Sequence, residues 1–336
     1  MDSVSANFPC YLVEETPDGI SASLTERTID DLPPGDTVIR VEYSSLNYKD
    51  ALAVRGHRGV VNKFPHVPGI DAAGVVESCA SGAFSPGDEV IVTGYGLGDE
   101  EWGGFAGYIR VPAEWVVPLP TGLSLYEAML YGTAGFTAAR GVDHLRHNGV
   151  MPDSGEVVVT GATGGVGSLA VAILGQLGYD VVAVTGKAEA HGFLTNLGAK
   201  RIIGREEVDD DSNSPLLSGK WAGAVDTVGG NILATIIRSA KQHAAVTCCG
   251  LVAGAKFDAT VYPFILRGVR LVGIDSDQCP MPKRRELWTH MATDWKPAGL
   301  ESLARTVTLD GLPDEVATIL KGGITGRVVV RPVRDA

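Results

Sequence analysis

Positive charge is in short supply in this chain. Its 336 residues hold 28 Lys and Arg against 40 Asp and Glu, a formal net charge of −12. A general nucleic-acid or membrane-surface binder usually needs a positive field, so the balance argues against that class, although a local basic pocket can still hold a phosphate. Cysteine is sparse too. Cys10, Cys79, Cys248, Cys249 and Cys279 make an odd number with no CxxC spacing, which fits reduced thiols better than a disulfide framework or a zinc knuckle. Cys248 and Cys249 read as ordinary core residues. No run of about 20 apolar residues occurs, since the stretch around Leu169 is broken by glycines, so no membrane partner is expected. Met1 to Pro9 shows neither a basic n-region nor an apolar h-region. No secretory signal is therefore expected, and the cytoplasm is the simplest location.

What is present is enough for a sizeable core: 45% of the residues are hydrophobic and 20% charged. The length predicts two domains. From Thr37 to Tyr43 and from Gly74 to Val92, short β-branched runs are cut by Gly, Pro and Asp, the texture of an irregular all-β module. Ser124 to Glu127 opens with a capping-box pattern, and Ala128 to Arg140 is helix-prone. Beyond Gly155 strand-like and helix-like runs alternate, which predicts βαβ units and a parallel sheet. Glu156–Thr160, Val181–Val184, Ala224–Asp226, Ala244–Cys249 and Val269–Gly273 read as its strands, with Val166–Leu177 and Ala188–Leu197 as helices. From Leu300 a helix-like stretch and a closing strand, Arg327–Pro332, lead back to the first module. The expectation is an α/β chain: a β-rich substrate domain over 1–125, completed by 300–336, and a doubly wound nucleotide-binding domain over 126–299.

Gly161-Ala162-Thr163-Gly164-Gly165-Val166-Gly167 follows a strand and opens a helix, the context that lifts a glycine motif above chance. A pyrophosphate must approach backbone N–H groups at the helix N-terminus, and any side chain would hold it off. Gly164 and Gly165 permit that approach, while Gly167 lets helix and strand pack closely. An NAD site usually has Asp or Glu at the end of the second strand, about 20 residues past the glycines. Here Val181–Val184 runs into Thr185-Gly186-Lys187, with no acid. A hydroxyl and an ammonium beside a glycine turn suit a 2′-phosphate, which points to NADPH. If Lys187 is merely a solvated turn residue, the choice of cofactor stays open.

Several stretches resemble the zinc-free, quinone-oxidoreductase-like branch of the medium-chain dehydrogenases/reductases, and more narrowly its acrylyl-CoA reductase group. They are Ser44 to Asp50, Val67 to Asp71, Trp102-Gly103-Gly104, Tyr131 to Thr137, Trp221 to Gly229 and Pro263 to Arg267. The resemblance implies a GroES-like substrate domain, a Rossmann domain, a cleft between them and a homodimer. It implies NADP contacts at Tyr48, Thr163 to Val166, Thr185 to Lys187, Arg205, Leu251, Ile265 and Ser276. Arg205 would be a second cation beside Lys187, unless it is an ordinary surface arginine.

Zinc-dependent relatives carry a metal cysteine where this chain has Asn47 and Tyr48, and Gly-His-Glu where it has Gly69-Ile70-Asp71. Residues 93 to 118 contain no Cys, so the four-cysteine structural lobe has no counterpart, and no metal is expected. Without a Lewis acid, alcohol oxidation loses its usual stabiliser of the alkoxide, and reduction of an activated C=C bond is the better match. Asn47, as an amide donor, and Tyr48, as orienting group or proton donor, are the catalytic candidates. Each also has a plain alternative: Asn47 satisfying backbone groups in a turn, Tyr48 stacking without acid–base work. Asp50 and Asp71 read as structural carboxylates. Lys283-Arg284-Arg285 is a candidate for coenzyme A phosphates or a solvated helix start. The small-molecule substrate expected is an enoyl-CoA or an enone. A quinone or general enone reductase is the nearest rival, and a non-catalytic nucleotide- or RNA-binding protein the rival from another class.

Overall fold

The computed structural model describes residues 7–333; most of the segment read for a leader, Met1 to Ala6, lies outside them. The chain divides into two units. The first comprises Met1–Thr133, Asp277–Ala292 and Leu300–Ala336, the second Ala134–Ser276 and Thr293–Gly299.

The first unit opens with a hairpin that the composition did not signal, β1 (Asn7–Thr16) paired antiparallel with β2 (Gly19–Thr28). Strand β3 (Thr37–Ser45) alternates as a half-buried strand should, with Ile39 and Val41 inward and Arg40 and Glu42 partly exposed. After β3 come helix α1 (Tyr48–Val54), β4 (Asp71–Cys79), β5 (Glu89–Thr93), β6 (Tyr108–Val111) and β7 (Val116–Pro118). Helix α2 (Leu125–His147) begins on the expected capping box: the Glu127 amide donates to Ser124 Oγ at 3.2 Å and the Ser124 amide to Glu127 Oε2 at 2.9 Å. Gly132 breaks α2 with φ of 50°.

In the second unit the chain forms β8 (Val157–Val159), α3 (Gly165–Gln176), β9 (Val181–Val184), α4 (His191–Asn196), β10 (Arg201–Ile203), β11 (Trp221–Asp226), α5 (Gly230–Arg238), β12 (Ala240–Cys248), α6 (Tyr262–Arg267) and β13 (Arg270–Gly273). The sheet is all parallel, ordered β10-β9-β8-β11-β12-β13. Strands β8 and β9 are buried along their whole length, as the runs Val-Val-Val and Val-Val-Ala-Val require when both faces are covered. Strand order reverses at β8, so the crevice at its carboxyl end is where such sheets take their ligands.

The chain returns to the first unit through α7 (Met281–Ala292), β14 (Ala304–Thr308), α8 (Leu312–Leu320) and β15 (Arg327–Arg331). Strand β15 pairs with β3 and β14, giving a seven-stranded sheet β14-β15-β3-β4-β5-β7 with β6 also on β3. The core of this unit includes Phe8, Leu12, Leu46, Phe105, Leu312 and Val328. Relative to the expected limits, the division falls at 133/134 rather than 125/126, and 277–292 groups with the first unit. Gly132, where the backbone leaves helical geometry within α2, lies beside that division. Among the described residues no helix is long and apolar enough to cross a membrane.

Candidate functional site

The second unit carries the glycine turn at the carboxyl end of β8. Gly161 has φ of 56°, and a Cβ there would lie 2.3 Å from Thr227 Oγ1. A Cβ on Gly167 would meet the Gly161 carbonyl at 2.2 Å. These two glycines are therefore fixed by packing. Gly164 differs: it caps α3 with φ of −77°, and its nearest Cβ neighbour would be at 3.4 Å, so its bareness serves open space rather than the fold. Gly165 and Val166 begin α3, whose first N–H groups have no acceptor within the helix.

A cavity of about 140 Å³ adjoins the turn, lined by Gly161, Thr163, Thr185, Arg205, Val228 and Val252 among others. Thr185 Oγ1 accepts the Lys187 amide at 3.0 Å, which shapes the turn after β9. Arg205 makes no hydrogen bond or ion pair with any described residue and lies against that turn, its Nε 3.3 Å from where a Gly186 Cβ would be. The structure thus gathers Gly161, Thr163, Thr185 and Arg205 around one space, with Gly186 against Arg205. Leu251 and Ile265 are 65% and 69% exposed, and Ser276 Oγ is 2.8 Å from Thr137 Oγ1, which donates to it; none of the three lines this cavity.

Sequence reasoning assigned no role to Asp226, yet it latches the turn. Thr160 Oγ1 donates to Asp226 Oδ1 at 2.8 Å, Thr227 N donates back to Thr160 Oγ1 at 2.9 Å, and Gly229 N donates to Asp226 Oδ2 at 2.8 Å. Burial pushes the Asp226 carboxyl above its ordinary value. An acid ending a buried strand beside a glycine turn was the available signal.

In the first unit, Asn47 is the N-cap of α1. Its amide donates to Asp71 Oδ2 at 2.7 Å and to the Ser45 carbonyl at 3.4 Å, and its Oδ1 accepts from Arg327 Nη1 at 3.2 Å. Asp71 is fully buried; Oδ2 also accepts from Ser45 Oγ at 2.5 Å, and Oδ1 accepts from Thr133 N at 2.8 Å and Thr133 Oγ1 at 2.6 Å. Gly132 allows this approach, since a Cβ would sit 2.4 Å from Asp71 Oδ2. Arg327, likewise buried, spans Leu130 O, Leu46 O and Ser45 Oγ at 2.8–3.1 Å. Asp50 accepts from the amides of Asn47, Gly69 and Ile70 at 2.7–3.1 Å. Burial, then the Asp71 charge, pushes its carboxyl up to about 7, against those donors. Burial also pushes Arg327 down, opposed by both aspartates.

Asn47 is thereby committed within the protein, as a helix cap held from two sides. Tyr48, the first residue of α1, is 48% exposed, and its hydroxyl bonds to no described residue. Two members of the basic triplet are engaged within the protein. Arg284 is fully buried, with Nη1 donating to Thr93 O at 2.7 Å and Nη2 to Asp277 O at 2.8 Å beneath the Tyr95 ring, and Lys283 pairs with Glu286 at 2.9 Å.

Residues 33–121 match the family described as "Alcohol dehydrogenase GroES-like domain", and residues 165–291 the family described as "Zinc-binding dehydrogenase". The chain belongs to the medium-chain dehydrogenase/reductase family of oxidoreductases. Within it, the chain is 48% identical over 92% of its length to "Acrylyl-CoA reductase AcuI" of Ruegeria pomeroyi, of which it covers 94%. It is 46% identical over 98% of its length to "Putative quinone oxidoreductase YhfP" of Bacillus subtilis, covering all of it; a solved yhfP structure with NAD bound has a TM-score of 0.95 over 97% of this chain. The yhdH oxidoreductase from Salmonella enterica, solved in complex with NADP, is 43% identical with a TM-score of 0.93 over 97% of this chain and all of that one. The second family's description raises catalytic zinc, and the residues here do not fit it. The Ile70 side chain has no ligating atom, Asn47 Oδ1 is taken by Arg327, and both Asp71 oxygens are bonded.

Proposed function

We propose that this chain reduces carbon–carbon double bonds conjugated to a carbonyl, using NADPH, with acrylyl-CoA or a similar short 2-enoyl-CoA as substrate. The observation that carries the reading is the Arg205 guanidinium on the Gly186 turn, in the cavity that also holds the glycine turn. Cation, hydroxyl and bare backbone together suit a dinucleotide bearing a 2′-phosphate. The identity to the acrylyl-CoA reductase and to the NADP-bound oxidoreductase supports it.

In this reading Gly161 to Gly167 hold the pyrophosphate, and Thr185, Gly186, Lys187 and Arg205 the adenosine phosphate. Leu251, Ile265, Ser276 and Tyr48 complete the cofactor contacts. When bound, NADPH supplies the hydride that adds to the substrate's β-carbon. Negative charge then builds on the carbonyl oxygen, and a hydroxyl donor placed there lowers the barrier. Tyr48 is the group in this chain suited to that contact or to delivering the α-carbon proton, and Asn47 acts by fixing the helix that presents it. Exposed Val261, Tyr262 and Leu266, on and beside α6, support a homodimer, since exposed apolar side chains gathered on one element favour a partner.

The test is a coupled screen of NADPH and NADH with acrylyl-CoA, simple enones and quinones. NADPH oxidation with acrylyl-CoA, at least about tenfold above the NADH rate, is expected from one lost phosphate contact. Reduction of quinones in preference to acrylyl-CoA would favour the second reading, which the likeness to YhfP supports. Dinucleotide binding without turnover of any compound would leave a non-catalytic binding protein.

A further inference from the structure

We propose that the turn at the end of α1 binds the phosphates of the coenzyme A portion of the substrate through Arg55, Arg58 and Lys63. The inference rests on the acyl-CoA reading above. Residues 55–63, Arg-Gly-His-Arg-Gly-Val-Val-Asn-Lys, hold three cations and no acid in a chain of net charge −12. Four other cations of this unit are already engaged. Lys49 pairs with Asp99 at 2.6 Å, Arg110 donates to the Ile29 and Leu32 carbonyls at 2.9–3.0 Å, and Arg284 and Arg327 are buried.

The turn is built rather than loose. His57 N donates to Leu52 O at 3.0 Å, and the amides of Val60 and Val61 donate to His57 O at 2.8 and 3.0 Å, while Val61 is fully buried. The Arg58 guanidinium lies 5.1 Å from the centre of the Phe64 ring, which folds the start of the turn onto its end beside Lys63. Arg55, Arg58 and Lys63 are all exposed. Arg55 and Lys63 have no ion pair with a described residue. Arg58 pairs with Glu15, but both side chains are more than half exposed, and such a screened pair is weak enough for a phosphate to displace.

Tyr48 and Arg55 stand at opposite ends of α1, about 10 Å apart along its axis at 1.5 Å rise per residue. An extended pantetheine arm is longer than that, so one thioester can reach from the phosphate turn to the Tyr48 end. The cations would then raise affinity for the coenzyme and leave the chemistry alone, a division that separates this turn from Tyr48.

The test compares the wild type with an Arg55→Gln/Arg58→Gln/Lys63→Gln variant of the NADPH-loaded protein on acrylyl-CoA, its dephospho-CoA analogue and the acrylyl thioester of N-acetylcysteamine. Expected is a rise in KM for acrylyl-CoA of about tenfold or more, as lost charge-assisted bonds predict, with kcat and the N-acetylcysteamine KM unchanged. A smaller rise with the dephospho ester assigns part of the contact to the 3′-phosphate. If the wild type reduces acrylyl-CoA and the variant's KM does not move, or moves equally for the coenzyme-free thioester, the turn is not the phosphate site while the reductase reading stands. If the wild type reduces neither thioester but turns over enones or quinones, the acyl-CoA reading falls and takes this inference with it.

Discussion

Asn47 donates its amide to Asp71 Oδ2 at 2.7 Å and accepts from Arg327 Nη1 at 3.2 Å through the same side chain's carbonyl oxygen. The residue that starts α1 is thus clamped between an anion on β4 and a cation on β15, and the exposed Tyr48 follows it directly.

Removing the anion should be costly. Asp71→Ala leaves Arg327 buried without a charged neighbour on that side, and loss of one partner of a buried charged cluster costs about 3 kcal/mol or more. Urea denaturation of the variant should show that loss, with NADPH affinity of the surviving folded protein near wild type. A variant as stable as the wild type would show that the clamp does not hold the fold.

Tyr48→Phe removes a single exposed hydroxyl that bonds to no described residue, so thermal stability should stay the same. Under the proposed role, kcat with acrylyl-CoA should fall by about a hundredfold, the lower range for a lost general acid. Unchanged kcat would assign the proton to water and leave Tyr48 a packing role.

Stability should depend on pH through Asp50. Burial and the Asp71 charge raise its carboxyl from 3.8 to about 7 in the fold. Between those values the folded protein keeps a proton that the unfolded chain has lost, so rising pH favours unfolding. The contribution is full below pH 3.8 and is lost as pH climbs to about 7. Comparing unfolding midpoints of the wild type and Asp50→Asn from pH 4 to 8 should show the wild type losing ground across that window. A constant gap would mean that the three amide donors keep Asp50 ionised throughout.

The glycine turn allows packing and ligand approach to be told apart. Gly167→Ala puts a Cβ 2.2 Å from the Gly161 carbonyl and should destabilise the fold by about 1–3 kcal/mol, as overpacking does. Gly164→Ala meets nothing nearer than 3.4 Å and should melt like the wild type while binding NADPH more weakly. Equal melting of both variants would contradict this division.

Arg205→Gln should weaken NADPH by about tenfold or more and leave NADH unchanged, because one charge-assisted contact to the 2′-phosphate is lost. Fluorescence titration with both dinucleotides gives the ratio directly. Equal weakening of both would place Arg205 elsewhere on the nucleotide.

The parallel sheet and its glycine turn were legible because local chemistry dictates them: Val-Val-Val before Gly161 and a helix after it leave few other arrangements. The Asn47 site was legible in part. Asn47 was visible as a polar residue before a helix, but its partners lie 24 and 280 positions away in sequence, beyond any local pattern. The burial of Arg284 was hidden for a related reason. Three adjacent cations look exposed on paper, whereas the fold turns Arg284 inward onto carbonyls from Thr93 and Asp277. Three-residue β10 offered too short a run to read.

The bonds joining Thr160, Asp226, Thr227 and Gly229 involve no ligand. The cradle therefore stands finished before any guest arrives, with little chain left to freeze on capture. Weaker grip in variants of this region should accordingly show itself as quicker escape of the dinucleotide, with the speed of its entry hardly altered.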